Sequence, residues 1–68
     1  MANSRLIANF LVENKDKMIR LIFSNGFQMR GRLVGYDENY MLIETQAYDS
    51  NPVLVSFAAV TTYVPAKA

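Results

Sequence analysis

Ile19-Arg20-Leu21-Ile22-Phe23-Ser24-Asn25-Gly26-Phe27-Gln28-Met29-Arg30-Gly31-Arg32-Leu33 decides the fold of this chain. Asn-Gly between two apolar runs predicts a hairpin, because tight hairpin turns need positive φ and these two residues tolerate it. Before the turn, Ile19, Leu21 and Phe23 alternate with Met18, Arg20 and Ile22. After it, Phe27, Met29 and Leu33 alternate with Gln28, Arg30 and Arg32. One apolar and one polar face is the pattern of a half-buried antiparallel sheet. Gly31 and Gly35 interrupt the second strand, where glycine marks a bend or a close backbone approach. A bent long strand lets a small sheet curl towards a barrel.

Outward from the hairpin, the spacing of Leu6, Ile7, Phe10 and Leu11 predicts a short helix over about 3–12 that packs this stripe on the core. Asn3 or Ser4 caps its start and Asn14 is the expected stop. Lys15-Asp16-Lys17 reads as a solvated turn. Asp37-Glu38-Asn39 makes the next turn, with Asp37 stabilising it, and Tyr40 to Thr45 forms a third strand. Its two apolar faces predict a central place, covered on both sides. Tyr36 and Tyr40 are expected to pack, with base stacking as the sharper alternative. Tyr48-Asp49-Ser50-Asn51-Pro52 is rich in turn formers. No charge occurs between Pro52 and Pro65, and strand formers dominate there, with a corner at Ala58-Ala59. Edge strands are normally blunted by charge or proline, because unpaired backbone groups recruit other chains. Val53, Leu54, Val55, Phe57, Thr62, Tyr63 and Val64 are therefore candidates for contact between copies. Repeating one such edge contact closes a ring if the rotation allows.

Length and composition agree. A chain of 68 residues is one domain, 1–68, with the sheet over about 17–65. A domain of this size buries only about 60% of its unfolded surface. It normally needs disulfides, a metal or partner subunits. Cysteine and histidine are both absent, which removes disulfides and the usual zinc sites. No cofactor is expected, and oligomerisation remains. With no His, Cys or phosphate-cradling glycine loop, and with Asp37 and Glu38 merely adjacent, no catalytic set is recognisable and the chain does not read as an enzyme. The net charge is +1, which by itself names no polyanionic partner. No apolar run approaches the ~20 residues of a membrane span, and no signal peptide is seen, so a cytoplasmic location is the expectation.

Asn25-Gly26-Phe27-Gln28-Met29-Arg30-Gly31, Gly35-Tyr36-Asp37 and the ending Ala59-Val60-Thr61-Thr62-Tyr63-Val64-Pro65 resemble the Sm-like family, in particular its bacterial Hfq branch. The resemblance covers nearly the whole chain. It implies a mainly β fold: a short N-terminal helix on a strongly bent five-stranded antiparallel barrel. It implies a homo-oligomeric ring of about five to seven subunits, closed by strand four of one copy on strand five of the next. It also implies single-stranded RNA as partner and a platform or chaperone role. The chain departs from the family where a tyrosine, lysine, histidine run lines a uridine site; here Ser56-Phe57-Ala58 stands. The purine-binding aromatic of strand one is replaced by Ile22, and the base-stacking aromatic after the turn falls at Asn39, beside Tyr40. A structural ring that binds protein partners is therefore the rival reading.

Phe27, Gln28, Arg30, Arg32, Asn39, Tyr40 and Thr62 are the candidate RNA contacts. Arg30 and Arg32 share one side of a strand, and two readings stand open: a solvated face, or phosphate contacts that a ring repeats into a belt. Arg20, outward on strand one, is placed to join them. Gln28 and Asn39 offer amides to a base edge, and the aromatics offer a stacking face to any base.

Overall fold

The computed structural model describes residues 4–49 and 51–66. The order is α1 (Ser4–Asn14), β1 (Met18–Phe23), β2 (Gln28–Tyr36), β3 (Tyr40–Glu44), β4 (Val53–Ser56), a one-turn 3-10 helix (Phe57–Ala59) and β5 (Val60–Pro65). All five strands form one antiparallel sheet in the order β4-β3-β2-β1-β5. The mainly β fold with its short helix and strongly bent five-stranded antiparallel sheet is as expected.

The core lies on the concave side. Ile19 and Leu21 of β1, Leu33 of β2, and Met41 and Ile43 of β3 are fully buried, and Leu11, Met29, Val55 and Val60 complete the cluster. Burial of each such side chain contributes about 1.5–3 kcal/mol. The helix lays Ile7, Phe10 and Leu11 on this cluster. Leu6, expected among them, is 73% exposed. The inward stripe is Ile7, Phe10, Leu11 and Asn14, at the i, i+3, i+4, i+7 spacing of one helix face, and Leu6 precedes it by one residue. Asn3 lies outside the described residues, and Ser4 is the first helical one.

The stop is made differently from expectation. Asp16, not Asn14, takes the left-handed conformation, at φ 67°. Asn14 ends the helix with its side-chain amide donating to the Phe10 carbonyl at 2.9 Å, and its own carbonyl accepts from Lys17 N–H. Asp16 N–H donates to the Leu33 carbonyl, which ties the linker to β2.

The hairpin turns over Ser24-Asn25-Gly26. Only Gly26 has positive φ, at 90°; Asn25 does not. Gly26 N–H donates to the Phe23 carbonyl and Phe23 N–H donates to the Phe27 carbonyl. The loop is thus three residues, a turn followed by a left-handed glycine, and not the two-residue type. Asn25 contributes its side-chain oxygen, which accepts from Phe27 N–H at 2.9 Å. This places Phe27 outside β2, half-exposed, with its ring tilted against Phe23.

The two glycines of β2 differ. Gly31 is the close approach: a Cβ there would stand 2.5 Å from the Glu44 carbonyl oxygen. At Gly35 it would meet Leu42 at an ordinary 3.6 Å. The bend there comes from a register shift between Leu33 and Gly35 against β3, as bulges produce. The third strand is not covered on both sides: Met41 and Ile43 are buried, whereas Tyr40 and Glu44 are exposed. β3 does lie inside the sheet, between β4 and β2, with β2 at the middle of the five. An apolar outward residue, Leu42, mimics two-sided burial in the sequence.

The 3-10 turn carries the chain from one edge of the sheet to the other, starting from Ser56, whose hydroxyl accepts from Ala58 N–H. Phe57 and Tyr63 form an aromatic cluster with Phe10, at centroid distances of 6.5 and 5.7 Å from Tyr63. The Tyr63 hydroxyl is buried there with no partner, and burial pushes its phenol pKa up.

Candidate nucleic-acid interface

Strand register sets the outward face in rows. Thr62 of β5, Ile22 of β1 and Gln28 of β2 form one row; Val64, Arg20 and Arg30 form the next; Met18, Arg32 and Glu44 form the third. Three of the seven candidate contacts, Gln28, Arg30 and Thr62, thus gather near the hairpin end of this face, and Arg32 sits one row beyond. Phe27 turns to the other side of the sheet, against Phe23 and beside Met29.

The arginines are not equivalent. Arg32 points at Glu44 across the strand pair, with Nη2 2.6 Å and Nε 3.1 Å from Oε1. These hydrogen bonds, and then the carboxylate charge, hold the guanidinium above its ordinary pKa. Both partners are about half-exposed, so solvent screens the pair and it adds little to stability. It does engage two of the three Arg32 nitrogens, Nε and Nη2, and neutralises the charge. Arg30, in contrast, stands directly opposite Arg20, with Cβ atoms about 5 Å apart by strand geometry. Among the described residues neither has an acidic partner. The sequence pairs Arg30 with Arg32 by spacing; the sheet pairs it with Arg20.

Beneath this face, Thr45 was not singled out by its sequence context. It is the buried polar residue of the core, 7% exposed. Its hydroxyl donates to the Arg30 carbonyl at 2.9 Å and accepts from Ala47 N–H, while Asn51 Oδ1 accepts from Thr45 N–H at 2.7 Å. Arg30 is therefore mounted on a fixed backbone. Ser50, within the same turn, lies outside the described residues.

Asn39 and Tyr40 lie elsewhere, at the far end of β2 in the turn to β3. Asp37 Oδ1 accepts from Asn39 N–H at 2.8 Å and Tyr40 N–H at 2.9 Å. These bonds hold the Asp37 carboxyl below its ordinary pKa. The Asn39 carbonyl accepts from Phe57 N–H, so this turn abuts the 3-10 corner. Tyr40 and Tyr36 are 45% and 40% exposed, not packed as expected. A bulged strand end leaves no opposing layer to cover them. A third exposed tyrosine, Tyr48, was unmarked in the sequence because its neighbours are turn formers. It lines an apolar depression with Phe23, Phe27, Val53 and Leu54 at the β4 edge.

The Asp37 bonds carry a pH prediction. Its folded pKa is lowered, so its contribution is complete above the unfolded value of about 3.9 and fades as pH falls through the folded value. The melting difference between wild type and Asp37→Ala is expected to be largest near neutrality and to close in acid. A difference that persists unchanged at pH 2 would contradict this role.

The candidate edge residues divide similarly. Leu54 is 67% exposed and Thr62 is exposed; Val53, Phe57, Tyr63 and Val64 are half-buried, and Val55 is buried in the subunit's own core. β4 and β5 each have one strand neighbour within the chain, and neither pairs with the other. Among the described residues no helix is long and apolar enough to cross a membrane.

No protein-family model and no curated protein matches the sequence. Among solved structures, the chain is similar to a crystal structure of the pleiotropic translational regulator Hfq. The TM-score is 0.78 at 26% identity, over 97% of this chain and 98% of that one. The likeness spans nearly the whole of both chains, and this chain has the Sm-like fold and is similar to Hfq.

Proposed function

We propose that this protein is a non-catalytic, ring-forming platform for single-stranded RNA, made of about five to seven copies. The observation that carries the reading is the outward face at the hairpin end. There an amide (Gln28), a hydroxyl (Thr62) and arginines without ion-pair partners lie within neighbouring rows, and the exposed Phe27 ring stands round the hairpin on the other side of the sheet. An unpaired strand uses such groups: an amide for base edges, cations for phosphate and a ring to stack on. The likeness to a translational regulator supports it. The two unpaired sheet edges support assembly, since β4 of one copy can complete β5 of the next. Asn39 and Tyr40 would form a second, separate contact region near the 3-10 corner. A cytoplasmic location is part of this reading.

The test is binding of A-rich and U-rich RNA strands to the purified protein at several salt concentrations. Affinity is expected to fall steeply with salt, by about one log unit per log unit of salt for each phosphate neutralised. An intact ring that binds neither strand at low salt would instead serve as a scaffold for protein partners.

A further inference from the structure

The Arg20–Arg30 pair has no structural reason to exist within the subunit. Like charges directly opposite on adjacent strands oppose sheet formation. Arg32, one row away, shows how such a charge is ordinarily settled: it has Glu44 across the strand. Arg20 has Arg30 on one side and Val64 on the other, and Arg30 makes no ion pair among the described residues, the nearby Glu44 being bonded to Arg32. The two guanidiniums, with Pro65 and Ala66, line one open depression, and Arg30 also borders a second one running beside Gln28, Gly31 and Thr45. The Thr45 hydroxyl on the Arg30 carbonyl fixes the strand beneath them.

We infer that Arg20 and Arg30 form a two-arginine clamp for the phosphodiester backbone of a single strand, which holds the strand by its phosphates independently of base identity. Two planar guanidiniums on adjacent strands present several donors to one phosphate or to two neighbouring ones. The bound anion neutralises the repulsion that the bare sheet carries, so ligand and sheet stabilise each other. This clamp rests on the reading of the face as a nucleic-acid interface. It deepens that reading by assigning the dominant contact to phosphate and not to the base edge at Gln28.

The test compares three strands of equal length by fluorescence anisotropy at low salt: A-rich RNA, U-rich RNA and an abasic deoxyribose-phosphate strand. The clamp predicts that the abasic strand binds within about threefold of the RNAs. Arg20→Gln and Arg30→Gln are each expected to weaken all three strands by about tenfold and to reduce the salt slope by about one. Arg32→Gln changes them little, because Glu44 neutralises the Arg32 charge. The melting temperature of the two clamp variants is expected to hold or rise, since each removes a like-charge pair. RNA binding with no abasic binding overturns the clamp and leaves the interface reading standing. Binding of all three strands that survives both substitutions also overturns the clamp alone. No binding of any strand overturns both.

Discussion

Gly31→Ala is expected to unfold most of the protein at moderate temperature. The added Cβ would stand 2.5 Å from the Glu44 carbonyl oxygen, 2.6 Å from Ile43 Cγ2 and 3.1 Å from Thr45 Cβ. A side chain can rotate away; the Glu44 carbonyl belongs to the backbone of β3 and cannot. Relief requires β2 and β3 to separate, which loosens Met41 and Ile43, both fully buried. It also strains the Thr45 hydroxyl bond to Arg30. Overpacking a core site costs about 1–3 kcal/mol and sometimes more. With ladder bonds involved, about 3 kcal/mol is the expected loss. A domain of this length has a total stability of about 3–10 kcal/mol, at the usual yield per residue. The midpoint should therefore fall by more than about 12 °C, at 4–8 °C per kcal/mol for a small domain. Gly35→Ala is the matched control: its Cβ meets Leu42 at 3.6 Å, and its φ is not in the left-handed region. It should melt within a few degrees of wild type. Circular dichroism melts of the two variants decide the matter, and near-identical behaviour would sink the close-approach argument.

Leu54→Lys is expected to keep the proposed ring from forming and to leave folded single subunits. Leu54 is 67% exposed on an edge strand, so within one chain a charge there costs little. Beside it lies the apolar depression that Phe23, Phe27, Tyr48 and Val53 line. An uncovered apolar edge of this kind calls for a partner, and a lysine is the ordinary device that blocks edge pairing. Sedimentation or native mass measurement should find wild type at a multiple of 7.7 kDa and the variant at 7.7 kDa, with matching far-UV dichroism. A variant that still assembles would place the contact away from Leu54. A wild type that stays at 7.7 kDa at high concentration would remove the ring, and with it the repeated arginine belt.

Much of the architecture is legible in the residue order because it is local. Alternation at β1 and β2 marks Ile19, Leu21, Met29 and Leu33 as inward, and all four are buried. Asn25-Gly26 marks the hairpin, since the turn needs a left-handed residue within a few positions. Asp37 reads as a turn residue for the same reason. Local pattern is ambiguous wherever two solutions satisfy it. Leu6 and Leu11 both fit an apolar helix stripe, and only docking on β2 selects Leu11. Phe27 continues the apolar alternation of β2, but a three-residue loop moves it outside the strand. Leu42 makes β3 look doubly covered because an outward apolar residue carries no mark of its direction.

The site was less legible, and the cause is register. Gln28, Arg30 and Thr62 are recognisable as exposed polar positions on predicted strands. Which of them meet depends on pairings between residues far apart in the chain, such as Arg20 with Arg30, Ile22 with Thr62 and Arg32 with Glu44. Thr45 and Asn51, which brace Arg30 from below, carry no sequence mark at all.

On its own, the order of residues determined the element types, the antiparallel hairpin, the apolar face of β1 and β2 and the uncharged final strands. These follow from periodicity and backbone preference, which act over a few residues. Tertiary structure alone decided that Arg32 is neutralised while Arg20 and Arg30 face each other, and that Gly31 is the tight crossing and Gly35 is not. Those outcomes depend on which strands lie side by side, and a one-residue slip in any pairing would have reversed them.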